Sequence, residues 1–253
     1  MTIKSYVSSI YLTELRNEHG HKRHRETHEI LITGDLKQHS IGEAIRDTLE
    51  PMPGCKIDSY HGDVRKRDAF TGMDLQPYDT LIMCHGLTHL DWFEDLSPSK
   101  LDDIFIVNVL SHFKLAQRFV EDTIHEPYRK RIIMIGSMAY KAVLNGSAAY
   151  CASKAALAHL ARCMAWELAP KGFDVFIIHP SNTLGTPMTE DTIQGLMRYR
   201  GISREAAESY WNDSPIRDSI LTPAEIANLV KFIMLGSSDY LAGTQIDLGG
   251  GQR

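Results

Sequence analysis

The chain has 253 residues, 43% of them apolar, enough for a sizeable core in one α/β domain. Its formal charge of −5 at pH 7 argues against a nucleic-acid partner. No apolar run is long enough for a membrane span and the N-terminal stretch holds no signal-peptide core, so the expectation is a cytoplasmic protein.

Residues 1–27 read as a polar arm ending in H-K-R-H-R-E-T-H-E. His19, His21, His24 and His28 crowd this end, yet no acidic residue or cysteine stands at ligand spacing. A solvated basic arm, or a segment packing on another subunit, is preferred to a metal site. The cysteines Cys55, Cys84, Cys151 and Cys163 show no C-x-x-C spacing and read as reduced thiols.

From residue 28 the pattern is strand, glycine turn, helix. Glu29 to Ile32 is a short apolar run closed by Thr33 and Gly34, as in a buried parallel strand. Ser40 is a natural N-cap for the amphipathic helix that follows. Further strands are expected at Tyr78–Cys84, Arg131–Ile135, Val175–His179 and Thr244–Leu248. Helices fit between them at Ser99–Ile124, Ala149–Leu168 and Pro223–Leu235. This alternation predicts a doubly wound parallel sheet, covered on both faces, in a single domain over residues 28–253.

The sharpest local signal is Tyr150-Cys151-Ala152-Ser153-Lys154. Positions i and i+4 share a helix face, so the phenol and the ammonium project together. A cation there lowers the phenol pKa, which tyrosine needs to act as acid or base near neutral pH. Upstream, the apolar strand Arg131–Ile135 runs through Gly136 to Ser137. A hydroxyl at a strand's carboxyl end lies where open α/β sheets bind ligands. The plain alternatives are an ordinary helix-surface pair and a turn serine.

Ser137 followed by Tyr150 and Lys154 resembles the active-site arrangement of the short-chain dehydrogenase/reductase family. Phe105-Ile106-Val107-Asn108-Val109 is similar to the helix bearing that family's catalytic asparagine. His179-Pro180-Ser181 through Thr186-Pro187-Met188 resembles its segment near the nicotinamide, with Ser181 at the usual glycine. Tyr240 to Gly250 resembles its last strand and double glycine. The resemblance implies a Rossmann-type fold and hydride exchange between NAD(P) and an alcohol or carbonyl. Tyr150 would handle the proton, and Lys154 would lower its pKa and bind the ribose. Ser137 would align the substrate oxygen, and Asn108 would hold a water in the proton relay. Pro180 and Thr186 would lie by the nicotinamide.

The adenosine half departs from the family. The glycine loop T-G-D-L-K-Q-H-S-I-G is longer than usual, with Ser40 at the middle glycine. Gly34, Ser40, Ile41 and Gly42 would still face the pyrophosphate at a helix N-terminus, provided Ser40 keeps a negative φ. Between Gly42 and Asp63 there is room for a helix and about one strand, where the family has strand, helix and strand. Asp63 and Val64 resemble its adenine-contacting pair. Gly86 ends Met83-Cys84-His85-Gly86, in which His85 replaces a small alanine and is expected to crowd the adenine-ribose side. The carboxylate position that selects NAD falls near His61 and Gly62 rather than on Asp58. Lys37 could meet a 2′-phosphate, so NADP is preferred to NAD.

Residues 187–220 should form a substrate lid. Its apolar side chains, among them Ile193, Leu196, Met197, Tyr199 and Trp211, serve either a hydrophobic substrate or the lid's own packing. Arg198, Arg200 and Arg204 read as an acidic-substrate contact or as surface charges. The resemblance also implies a homodimer or homotetramer through Ser99–Ile124 and Ala149–Leu168. Two rival readings remain at this point: a nonenzymatic dinucleotide-binding scaffold, and a dehydratase or epimerase using the same site.

Overall fold

Alternation along the strands sends apolar side chains to both faces of a single sheet. The computed structural model describes residues 27–34, 38–212, 220–235 and 239–250. The strands are β1 (His28–Thr33), β2 (Cys55–Tyr60), β3 (Thr80–Met83), β4 (Lys130–Ile135), β5 (Phe173–Pro180) and β6 (Gln245–Leu248). All pair in parallel, in the order β2-β1-β3-β4-β5-β6. The arm and Lys37 lie outside the described residues, apart from Thr27. His28 leaves the histidine group, because it opens β1 and its ring meets Asp79 at 3.4 Å.

Side chains alternate along a strand, so neighbours serve opposite cores. Ile30, Ile32, Ile133, Ile135 and Ile178 face α1 (Ile41–Leu49), whose Ile45 and Leu49 join that core. Leu31, Met83, Ile132, Met134 and Ile177 face the opposite core, with Phe119 and Leu157. Those two come from a long helix and from α4 (Ala148–Leu168). The long helix runs from α2 (Pro98–Phe105) through a π-helical turn (Ile106–Leu110) into α3 (Ser111–Thr123). Only the π turn was not foreseen there. The remaining helices are α5 (Pro187–Arg200), α6 (Arg204–Asn212) and α7 (Pro223–Met234).

Local chemistry sets the helix starts. Ser40 (φ −76°) caps α1 by accepting the Glu43 N–H at 3.1 Å, so it meets the requirement for a serine in this loop. Ser97 caps α2, and Thr222 with Glu225 forms a capping box on α7. After β2, residues 61–79 pass through turns with no helix and no further strand. β2 therefore stays outermost, where the usual doubly wound order carries one more strand. Asp58 points away from a ribose role, since it accepts a bond from the Tyr78 hydroxyl at 2.9 Å.

Candidate active site

The strand ends assemble the site. Gly86 follows β3, Ser137 follows β4 and Pro180 closes β5. α4 brings Tyr150 in its first turn and Lys154 one turn later. Asn108 comes from the π turn. All gather at the carboxyl edge of the sheet, where open α/β folds bind ligands. A Cβ on Gly86 would stand 3.6 Å from both the Lys154 Nζ and the Asn108 Oδ1, so these groups share one small space.

Tyr150 is half-buried as a residue, and its phenol pKa moves upward on balance. Burial pushes it up, and the side-chain bond with Ser137 pulls it down. That net direction is opposite to the one expected from the Tyr150–Lys154 spacing. The reason is geometric. The ammonium of Lys154 bonds the Ile135 carbonyl at 3.3 Å and stands 5.8 Å from the Tyr150 ring centre. Burial in turn brings Lys154 down to about 8, with Cys84 acting the other way.

Asn108 is buried, with both ends of its amide engaged. Its Oδ1 accepts the Leu87 N–H at 2.8 Å. Its Nδ2 donates to the Leu87 carbonyl at 2.8 Å and to the Ser153 hydroxyl at 2.9 Å. The side chain thus ties the loop after β3 to α4. Asn108→Ala would leave the half-buried Leu87 N–H and carbonyl without their partner, while the Ser153 hydroxyl keeps its bond to the Tyr150 carbonyl. The expected cost is about 3 kcal/mol or more, read as a lower denaturant midpoint at unchanged slope. An unchanged midpoint would show that these bonds are dispensable.

Gly34 permits a close approach of two backbones. Gly34 has a φ of +80°, and a Cβ there would lie 2.4 Å from the His85 backbone nitrogen. His85 does not crowd the adenine-ribose side, contrary to the expectation from its size. It continues the alternation of Leu81 and Met83, so its ring turns inward towards α3. There it bonds the Thr33 hydroxyl at 2.6 Å and the Ser111 hydroxyl at 2.8 Å, and its centre lies 3.9 Å from that of His112. Burial, helped by the Lys154 charge, brings His85 down to about 3. Asp63 accepts bonds from the Arg65 backbone and guanidinium, which lower its carboxyl to about 2. Val64 packs against the core on the α3–α4 side. Thr186 caps α5, with its oxygen 3.1 Å from the Thr189 nitrogen.

Asp91, which the sequence did not single out, anchors the mouth of the cleft. Its buried carboxylate accepts from Lys100 at 3.0 Å and from the Tyr199 hydroxyl on α5. Its N–H reaches the Gly146 carbonyl, just before α4, at 3.0 Å. Ile193, Leu196 and Met197 pack among themselves with Ala207, which favours the self-packing reading for these lid residues. Arg204 is held by Glu190 and Glu208, and Arg200 lies over the Tyr210 ring. The Trp211 side chain lies outside the described residues.

A family model described as short chain dehydrogenase matches residues 30–196. The chain belongs to the short-chain dehydrogenase family. It is an oxidoreductase of that kind. Cyclopentanol dehydrogenase of Comamonas sp. is 24% identical over 250 residues, covering 96% of this chain and 86% of that protein. Two solved structures share the fold. A variant actinorhodin polyketide ketoreductase with NADPH superposes with a TM-score of 0.81, at 19% identity, covering 90% of this chain and 98% of that one. NAD+-bound xylitol dehydrogenase does so with a TM-score of 0.79, at 21% identity, covering 88% and 98%. Among the described residues of this short-chain dehydrogenase, no helix is long and apolar enough to cross a membrane.

Proposed function

We propose that this protein interconverts an alcohol and a carbonyl by hydride transfer, with NADP(H) as its cofactor. The observation that carries this is that Lys154 and Asn108 meet beside Gly86, while Ser137 interacts with Tyr150, one turn before Lys154 on α4. Folding alone does not call for that set.

The residues present fit a dinucleotide. Gly86 leaves space beside Lys154 and Asn108, and α1 presents its N-terminus at Ser40, Ile41 and Gly42. Asp63 and Val64 would face the adenine, Tyr150 and Lys154 the ribose, and Pro180 and Thr186 the carboxamide. The bound dinucleotide supplies or accepts the hydride. Ser137 aligns the substrate oxygen beside Tyr150. In reduction Tyr150 gives its proton to that oxygen, and in oxidation it takes the proton back. Lys154 would bind the ribose and supply positive charge that favours the phenolate. Asn108 fixes the loop beside them and, through its remaining acceptor capacity, holds a relay water.

NADP rather than NAD is supported by the end of β2. The strand stops at Tyr60 and continues into His61 and Gly62, with no carboxylate for the ribose hydroxyls. The nearby Asp63 is occupied by Arg65. Lys37 in the glycine loop adds a cation. The substrate is a small molecule, as in the relatives named for alcohols and ketones. A homodimer or homotetramer is supported by apolar side chains left exposed on α3 and α4, Phe113 and Trp166 among them.

Calorimetric titration of dialysed protein with NADPH, and separately with NADH, tests the reading. Binding of NADPH at least about tenfold tighter is expected, a difference of about 1.4 kcal/mol. Tighter NADH binding would overturn the cofactor assignment. Binding of neither at millimolar concentration would overturn the redox reading of this site.

A further inference from the structure

Ser137 is held from behind by a residue to which neither the sequence motif nor the proposed chemistry assigns a role. His179 is the penultimate residue of β5, and its ring is fully buried. It stands on the same sheet face as Val175 and Ile177, the face covered by α4. Its Nδ1 accepts the Ser137 backbone N–H at 3.3 Å. Gly136 makes this approach possible, because a Cβ there would lie 2.4 Å from the same nitrogen. Tyr140 stacks on a face of the ring, with centres 4.1 Å apart and planes 25° apart.

The far end of this assembly is clamped to β6. Asp247 accepts from Lys141 at 2.6 Å and from the Tyr140 hydroxyl at 3.4 Å. The short 3₁₀ turn Met138–Tyr140 is therefore pinned between Asp247 and His179. Within it the Ala139 N–H donates to the Ser137 hydroxyl oxygen at 3.1 Å. The serine is thus fixed at its backbone by His179 and at its oxygen by its own turn.

The ring's protonation follows from these partners. An Nδ1 that accepts leaves the proton on Nε2, and that buried nitrogen has no partner among the described residues. An unpartnered buried N–H is unfavourable, and an apolar side chain of similar size would avoid it. Packing alone does not explain a histidine here. Burial, with the Lys154 and Lys141 charges, holds the ring neutral against the pull of Asp247 and of the Ser137 backbone, its pKa brought down to about 4. A protonated ring would turn Nδ1 into a donor facing a donor.

We propose that His179 is a positioning residue, which sets the direction from which the Ser137 hydroxyl meets the Tyr150 phenol by holding the Ser137 backbone. This rests on reading Ser137 and Tyr150 as the proton-handling pair. The bond from Ser137 is what pulls the Tyr150 phenol downward, so loosening Ser137 should let it rise.

The test needs no substrate. Protein carrying 13Cζ-labelled tyrosine is titrated from about pH 7 to about pH 11, the range in which a phenol begins to ionise. The Tyr150 resonance is identified by its loss in Tyr150→Phe. In His179→Leu, which lacks an acceptor, its ionisation should begin at least about half a pH unit higher than in wild type. His179→Asn can place an amide oxygen near the Nδ1 position and should restore the wild-type curve. Tyr140→Leu, at a partly exposed position, loosens the same ring and should shift the curve in the same direction; it carries the test alone if His179→Leu does not fold. Wild-type curves in the folded variants would overturn the proposal, as would an equal rise in His179→Asn. Ser137→Ala separates the two levels of the argument. No shift in that variant would sink the Ser137–Tyr150 pair itself, whereas a shift there with none in the His179 and Tyr140 variants would sink only His179.

Discussion

Replacing Tyr150 with phenylalanine is expected to cut turnover about a hundredfold or more while leaving the fold nearly intact. The size is that of losing a positioned general acid or base. Tyr150 is half-buried and its phenol interacts with Ser137, whose oxygen keeps its bond from the Ala139 N–H. Removing one hydroxyl therefore leaves little unsatisfied, and the change in stability should stay within about 1 kcal/mol. The check is the rate of A340 change over a panel of ketones with NADPH, beside a denaturant titration of the same variant. Dinucleotide binding by calorimetry should weaken far less than turnover. Equal turnover in variant and wild type would remove Tyr150 from the chemistry. Loss of turnover together with a collapsed denaturant midpoint would give the residue a structural role instead.

Lys154→Met should do two opposite things, lowering turnover about a hundredfold or more and stabilising the protein measured without dinucleotide. The second effect follows from burial. Lysine in an unfolded chain titrates near 10.4, while burial brings Lys154 down to about 8. Below about pH 8 the ammonium is charged in both states, and the folded state carries the whole desolvation penalty. Between about pH 8 and about pH 10.5 the unfolded chain binds more protons than the folded one. Lys154 therefore makes stability rise with pH across that window. Methionine has no such term, so the variant should lose that part of the slope. At pH 7 it should gain about 1–3 kcal/mol, or several degrees in Tm, after allowing for the bond to the Ile135 carbonyl. A lower Tm with the wild-type pH slope would mean that the ammonium stabilises the fold, and the account of its burial would be wrong.

Features that depend on neighbours in the chain were legible in the sequence. Short apolar runs marked β1, β3, β4, β5 and β6, because such a run needs only the residues of one strand. Ser40 was readable as a cap from its place before an amphipathic run, and the i, i+4 spacing set Tyr150 and Lys154 on one face of α4. The shortened first half of the sheet could be counted from chain length, since a strand and a helix need a minimum number of residues. The family followed from motifs in their order, and the match over residues 30–196 agrees with it.

Pairings across the sheet were decided only by the tertiary structure. His179 and Ser137 are 42 residues apart, Asn108 and Ser153 are 45 apart, and Asp91 and Tyr199 are 108 apart. No local period records such contacts, because they depend on strand order, on register and on which side chain fills the space between two elements. His85 shows the same limit. Its identity suggested a crowded ribose site, and only the face it occupies after β3 shows that it lies in the core. The direction of the Tyr150 shift is a third case. Spacing places an ammonium near a phenol, but burial and the Ile135 carbonyl decide how much of that charge the phenol feels. The sequence by itself determined the strand–helix order, the shortened adenosine side and the set of candidate groups. The packed structure decided their partners and their protonation, because desolvation and long-range contact exist only once the chain has folded.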